Sequence, residues 1–268
     1  MPILSRHTIG GLTYHKIDRV GAQGPSLFLL HGFGCQGAAF SGIVPCVSAY
    51  AKLIIPDWRA HGASITMSRA PSLNDLARDF RALLEKEARG RVVVLGWSMG
   101  ASVLFEYWAV YQGQGIDRLV IQDMSPKPQN TPDWFLGVKN SERFPLINTA
   151  LLIRQSWSAF LKLIEDGARA TGLAMPAEAL SKAHNSAHLA ALWTDLVSRD
   201  YRFVIPTISV PTWLIYGSAS PLYPPELATW MENKLPCPRL RIVEGCGHSP
   251  HLEKPEKVCA ILVEALAG

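Results

Sequence analysis

The amino-acid sequence predicts a mostly parallel α/β sheet with helices on both faces and one inserted helical subdomain. Short apolar runs alternate with amphipathic ones along most of the chain. The alternation stops between about Pro126 and Pro206. A composition of 48% apolar and 18% charged residues over 268 positions, without a polar tract, is that of an ordered globular chain.

The apolar runs, in order, are "SLFLL" (26–30), "KLIIP" (52–56), "RVVVLG" (91–96), "RLVIQ" (118–122), "TWLIYG" (212–217) and "RLRIV" (239–243). Each has the length and aliphatic content of a strand buried on both faces. Helical patterns lie between most of them. In "SLNDLARDFRALLEKEA", Ser72 and Asp75 stand at capping-box spacing, and apolar residues recur at Leu73, Leu76, Phe80, Leu83 and Leu84. Strand and helix in alternation imply parallel pairing. Residues 1–125 and 207–268 are therefore read as the core and 126–206 as the helical insertion. The insertion carries Trp134, Phe135, Phe144, Trp157, Phe160, Met175 and Trp193, more large apolar side chains than a short exposed connection needs. They are expected to form a small core of their own. Trp134, Trp157 and Trp193, with Trp97, are also candidates to line a pocket.

The net charge of +4 is spread rather than gathered into a cationic stripe, which argues against a nucleic acid partner. The start, "MPILSRHTIGGLTYHKIDRV", lacks the pattern of a secretory signal, and no apolar run reaches the length of a membrane span. The expectation is a cytoplasmic protein with no membrane partner. Five cysteines, Cys35, Cys46, Cys237, Cys246 and Cys259, without a CxxC spacing, are read as buried or half-buried thiols of a reducing compartment, with no metal signature. Oligomeric state is left open.

The most specific signal is "VVVLGWSMGASVLFEYW". It holds Gly96-Trp97-Ser98-Met99-Gly100, the G-x-S-x-G pattern, with an apolar strand before it and a helix after it. A serine on so sharp a turn needs neighbours with almost no side chain, because the backbone is strained and approaches other segments closely. A second Gly-rich loop, "HGFG" from His31, follows the first run, and its Phe33 amide is expected to join the Met99 amide as an oxyanion donor pair. A serine hydroxyl needs a base. Of eight histidines, His248 in "EGCGHSPHLEKPE" sits on a Gly-rich turn after the last apolar run and is favoured over His251, which fits a helix start. His31 reads as a loop-fixing group, His61 as structural, and His184 and His188 as a solvated helix face.

On "HGFG", "PDWRAHGAS", "GWSMGAS" and "GCGHSPHLEKPE", in family order, the chain resembles the α/β-hydrolase family over essentially its whole length. The insertion falls where that family carries its cap. The resemblance implies Ser98 as nucleophile, His248 as base, and Phe33 and Met99 as oxyanion donors. The family most often places its acid in the loop after the strand matching "TWLIYG", where this chain has "YGSASPLYP" and Ser220 at the usual position. A serine cannot stabilise an imidazolium as a carboxylate does. The expected substitute is Asp123 in "RLVIQDMSPKP", at the end of the strand before the insertion, where haloalkane dehalogenases and cofactor-free quinolone dioxygenases of the family carry an acid. Glu244 is the next candidate.

The leading functional expectation is a serine hydrolase cleaving a carboxylic ester, thioester or lactone of a small apolar acyl or aryl substrate through an acyl-Ser98 intermediate, without cofactor or metal. The alternatives are a cofactor-free 2,4-dioxygenase of a hydroxyquinolone-type substrate and a small-molecule receptor on the same fold. A haloalkane dehalogenase would need an aspartate nucleophile at position 98.

Overall fold

The structure, a computed structural model, describes residues 4–18, 24–64, 68–182 and 185–267. Eight strands form one sheet: β1 (Leu4–Ile9), β2 (Leu12–Ile17), β3 (Ser26–Leu30), β4 (Lys52–Asp57), β5 (Val92–Trp97), β6 (Arg118–Gln122), β7 (Thr212–Gly217) and β8 (Pro238–Val243). Their order across the sheet is β1-β2-β4-β3-β5-β6-β7-β8. From β4 to β8 every pairing is parallel, whereas β1 and β2 pair antiparallel with each other and β2 pairs antiparallel with β4. The six apolar runs correspond to β3 through β8. The hairpin of β1 and β2 is an addition to the sequence reading. Its turn is Gly10-Gly11, at φ of 53° and 84°, a conformation that favours glycine. Its strands, LSRHTI and LTYHKI, interleave polar with apolar residues, so no continuous apolar run marks them.

Nine helices lie among the described residues: α1 (Val44–Val47), α2 (Leu73–Glu87), α3 (Met99–Tyr111), α4 (Thr149–Gln155), α5 (Trp157–Arg169), α6 (Ser186–Ser198), α7 (Glu226–Lys234), α8 (Pro250–Glu253) and α9 (Pro255–Ala267). α2 starts with the expected capping box, Ser72 Oγ accepting from the Asp75 amide and Asp75 Oδ2 from the Ser72 amide. Its apolar stripe is buried against α3 and one face of the sheet, while α9 and α1 cover the other face, giving two apolar cores with the sheet between them. No described helix is long and apolar enough to cross a membrane.

Between β6 and β7 the described chain forms α4, α5 and α6 and no strand. Trp134 and Phe160 are buried there, but Phe135 and Phe144 are 63% and 74% exposed, so these two do not join the small core expected for them. His188, in the first turn of α6, is half-buried rather than on a fully solvated face, and His184 falls outside the described residues. Two of the cysteines depart from the expectation of free thiols. Cys46 and Cys259 are joined by a disulfide across 213 residues of sequence, tying the start of the chain's first helical layer to α9. Cys35 and Cys246 are buried thiols and Cys237 is exposed. The spacing alone could not reveal the pair, because the two half-cystines meet only when α9 returns over α1. With it goes the cysteine argument for a reducing compartment.

Candidate active site

Ser98 stands between β5 and α3 at φ 53° and ψ −122°, a backbone conformation rare for a non-glycine residue. Two glycines make the turn possible. A Cβ on Gly100 would lie 2.1 Å from the Leu30 carbonyl oxygen, and one on Gly96 would lie 2.7 Å from the backbone of Gly100 and Ala101. The Gly100→Ala variant is accordingly expected to lose about 3 kcal/mol or more of stability, read as a fall in the urea midpoint. A midpoint equal to wild type would contradict the close approach of α3 to β3. The Ser98 amide donates to Gln122 O of β6 at 3.1 Å, fixing the turn to the neighbouring strand. Its hydroxyl has no hydrogen-bond partner among the described residues and borders a cavity of about 350 Å³.

His248 lies in the loop between β8 and α8, on the wall of the same cavity. Its Nδ1 is 2.6 Å from Asp123 Oδ2. Because the ionised carboxylate only accepts, Nδ1 carries the proton and Nε2 is left with a lone pair. Asp123 is fully buried, and its own backbone is unusual, with φ at 45°. Its amide donates to Ile215 O of β7 at 2.9 Å, which pins the residue to the strand end. The other oxygen, Oδ1, is buried without a partner among the described residues.

The loop after β7 has another use. Ser220 Oγ donates to Asp123 Oδ2 at 2.9 Å, so the position that lacks a carboxylate hydrogen-bonds the carboxylate supplied from β6. The same loop holds the histidine's loop: Gly245 N donates to Ser218 Oγ at 2.9 Å and Ala219 N to Cys246 O at 2.8 Å. A Cβ on Gly217 would lie 2.0 Å from Gly247 O. Glu244 is exposed, and its carbonyl accepts from Lys254 Nζ; Asp123 holds the histidine position instead.

His251 is fully buried, its Nδ1 2.6 Å from Gln122 Nε2 and its ring edge-on to Trp97 at 4.5 Å. Loss of hydration on burial, reinforced by nearby His248, pushes its pKa down to about 3. Burial likewise lowers His31 to about 4, against a smaller raising effect of its bond to Gly32 O. His31 joins two loops, Nδ1 to Gly32 O at 2.8 Å and Nε2 from Trp58 N at 2.9 Å. His61 Nε2 accepts from Gly34 N at 3.1 Å. Both rings thus brace the loop that carries Phe33. The amides of Phe33 and Met99 have no acceptor among the described residues.

The two buried neutral imidazoles set a pH dependence. Unfolding lets each return to an ordinary pKa of about 6.5, so below that pH the unfolded chain binds more protons than the folded one. Stability is therefore at full value above about pH 6.5 and declines as pH falls toward 4. Urea midpoints at pH 7.5 and 5 should differ in that direction; equal midpoints would mean that the imidazoles are not neutral when folded.

Of the four tryptophans expected at a pocket, Trp97 and Trp193 border the cavity and Trp134 and Trp157 do not. Trp134 packs edge-on to Trp230 at 5.0 Å, and Trp157 turns its indole N–H to Ser181 O at 3.0 Å while packing against Phe33 and Phe160. Trp97 has a second contact, its Nε1 donating to His248 O at 2.9 Å. The remaining wall is mainly aliphatic, including Met124, Leu146, Ile164, Leu173 and Met175. Among the described residues it contains no lysine or arginine, and Glu253 is its only carboxylate. No cluster of three or more His, Cys, Asp or Glu side chains able to hold a metal ion occurs among the described residues. The sequence alone points to no role for Ser220 or Glu253; for Glu253 the available signal is an acid five residues after the histidine of the Gly-rich turn.

An eight-stranded, mostly parallel sheet carrying a strained strand-to-helix serine beside a histidine–carboxylate pair defines the class: residues 27–261 match the model of the alpha/beta hydrolase family, and the chain belongs to that family. It is 29% identical over 240 residues to the pimeloyl-(acyl-carrier protein) methyl ester esterase of Nitrosomonas europaea, covering 88% of this chain and 93% of the relative. The enzyme of the same description from Aromatoleum aromaticum is 30% identical over 252 residues, covering 90% and 97%. An esterase structure from Exiguobacterium antarcticum superposes with a TM-score of 0.81 at 20% identity over the whole of both chains, a likeness of fold. Within its family the protein is a hydrolase of the esterase type.

Proposed function

We propose that this protein cleaves esters of an apolar acyl group through an acyl-serine intermediate, with Ser98, His248 and Asp123 as its triad. Ser98 Oγ attacks the ester carbonyl carbon while His248 Nε2 takes the hydroxyl proton. Asp123 keeps the imidazole in the Nδ1–H tautomer and stabilises the imidazolium that forms. The tetrahedral oxyanion lies between the Phe33 and Met99 amides, with the N-terminal end of α3 behind it. Collapse breaks the bond to the leaving oxygen, which receives the proton from His248. Water, deprotonated by the same imidazole, then releases the acid and restores Ser98.

The observation that carries this reading is the 2.6 Å contact of His248 with Asp123 on the cavity bordered by the strained Ser98. That no lysine or arginine lines the cavity among the described residues favours a neutral, apolar acyl chain over one ending in a carboxylate or phosphate. The relatives' names favour a methyl ester of a carrier-bound acyl group as one such substrate. The test is hydrolysis of p-nitrophenyl esters of increasing acyl length, with methyl esters of the preferred acids measured by proton release. Turnover that rises with acyl length and vanishes in Ser98→Ala supports the reading. Absence of any ester turnover, with oxygen uptake on a hydroxyquinolone, would replace it by the dioxygenase reading.

A further inference from the structure

We infer that Glu253 is a positioning residue for His248, acting through the backbone on both sides of it. Its Oε2 accepts from the Gly247 amide at 2.7 Å and its Oε1 from the Ser249 amide at 3.0 Å, so one carboxylate clasps the residues immediately before and after the histidine. The histidine's own carbonyl is taken by Trp97 Nε1 at 2.9 Å. Three hydrogen bonds therefore fix three consecutive residues, two of them to a single side chain.

The arrangement answers a mechanical need. His248 sits in a loop, and its ring must face Asp123 with one nitrogen and the cavity with the other. A loop offers little rigidity of its own, while misplacement of a reacting group by about 1 Å can cost about a hundredfold in rate. Glu253 comes from α8, which follows the histidine by two residues, so the clasp closes over a very short span of chain. Hydrogen bonds from amides to an ionised acceptor are stronger than neutral ones, so a carboxylate holds this loop more firmly than an amide side chain would. Glu253 also borders the cavity, and its two amide bonds give this charge its partners.

The role rests on the esterase reading above, and its test separates the two. Wild type, Glu253→Gln and Glu253→Ala are compared for kcat and KM on the best p-nitrophenyl ester, with Ser98→Ala as background. Their folding is followed by thermal denaturation, and the low-field proton resonance of the His248 Nδ1–H···Asp123 bond by NMR. Asp123→Asn identifies that resonance. Glutamine keeps one acceptor oxygen but turns an N–H₂ toward the second amide, so it should be intermediate. The expected result is a fall in kcat of about a hundredfold for alanine and less for glutamine, at nearly constant KM, with the resonance broadened or shifted in both. Folded variants with wild-type kcat and an unchanged resonance would overturn the proposal, as would a loss confined to the melting temperature. If wild type shows no turnover above Ser98→Ala, the esterase reading fails, and the resonance alone still decides whether Glu253 positions the histidine.

Discussion

Ser98→Ala is expected to lower ester turnover by about a millionfold, with the fold intact. The shape of the site explains why the loss should be so large. The hydroxyl emerges from a backbone at φ 53° that the structure tolerates only because Gly96 and Gly100 admit neighbouring main chain at distances no Cβ would allow. No other described serine or cysteine beside the cavity offers a replacement: Ser249 follows His248 directly in the same loop and is buried, its amide held by Glu253, and burial raises the Cys35 thiol to about 12, far from a reactive thiolate. The measurement is kcat for wild type and variant on one p-nitrophenyl ester, joined to labelling with a fluorophosphonate that reacts only with an activated serine. Residual turnover within tenfold of wild type would exclude Ser98 as nucleophile.

Asp123→Asn is expected to reduce kcat by about four orders of magnitude. The amide can turn its N–H₂ toward Nδ1, which drives the imidazole proton to Nε2 and removes the lone pair that must accept from Ser98. The hydrogen bond between Asp123 and His248 is short, at 2.6 Å, and fully buried on the carboxylate side. The decisive companion is Ser220→Asp in the Asp123→Asn background. Ser220 Oγ lies 2.9 Å from Asp123 Oδ2, so a carboxylate at position 220 can reach the same nitrogen. Recovery of part of kcat in the double variant, relative to Asp123→Asn alone, would show that the two strand ends are alternative seats for one charge. If Asp123→Asn retains wild-type kcat, the carboxylate is a structural group.

The parts of the site open to sequence reading are those where chain order and spatial order coincide. Gly96, Ser98 and Gly100 carry their constraint within five residues, and the flanking strand and helix announce themselves by periodicity. Asp123 is legible because parallel strands end at one edge of the sheet, so a residue following β6 emerges beside one following β5. Other features depend on which way a side chain points after folding. Trp134 and Trp193 look alike in sequence, yet one meets Trp230 and the other the cavity wall. Glu253 is visible as an acid near a histidine, but its two acceptors are aimed by the turn into α8. The Cys46–Cys259 pair joins positions 213 residues apart, and no local pattern encodes such a meeting.

The location of Asp123 matters for anyone wishing to redesign substrate choice. Between β6 and the helices that roof the cavity, the chain passes the acid, then Met124, whose carbonyl and sulfur accept from Tyr216 and Tyr223, then Pro128, which borders the cavity. A splice made directly at the end of β6, the obvious junction for grafting a foreign roof, would cut through this segment and replace the proposed triad acid along with cavity-lining side chains. A transplant that begins after Pro128 leaves the acid and its tyrosine-held neighbour untouched. A graft junction in this chain is therefore better placed later than the secondary structure suggests.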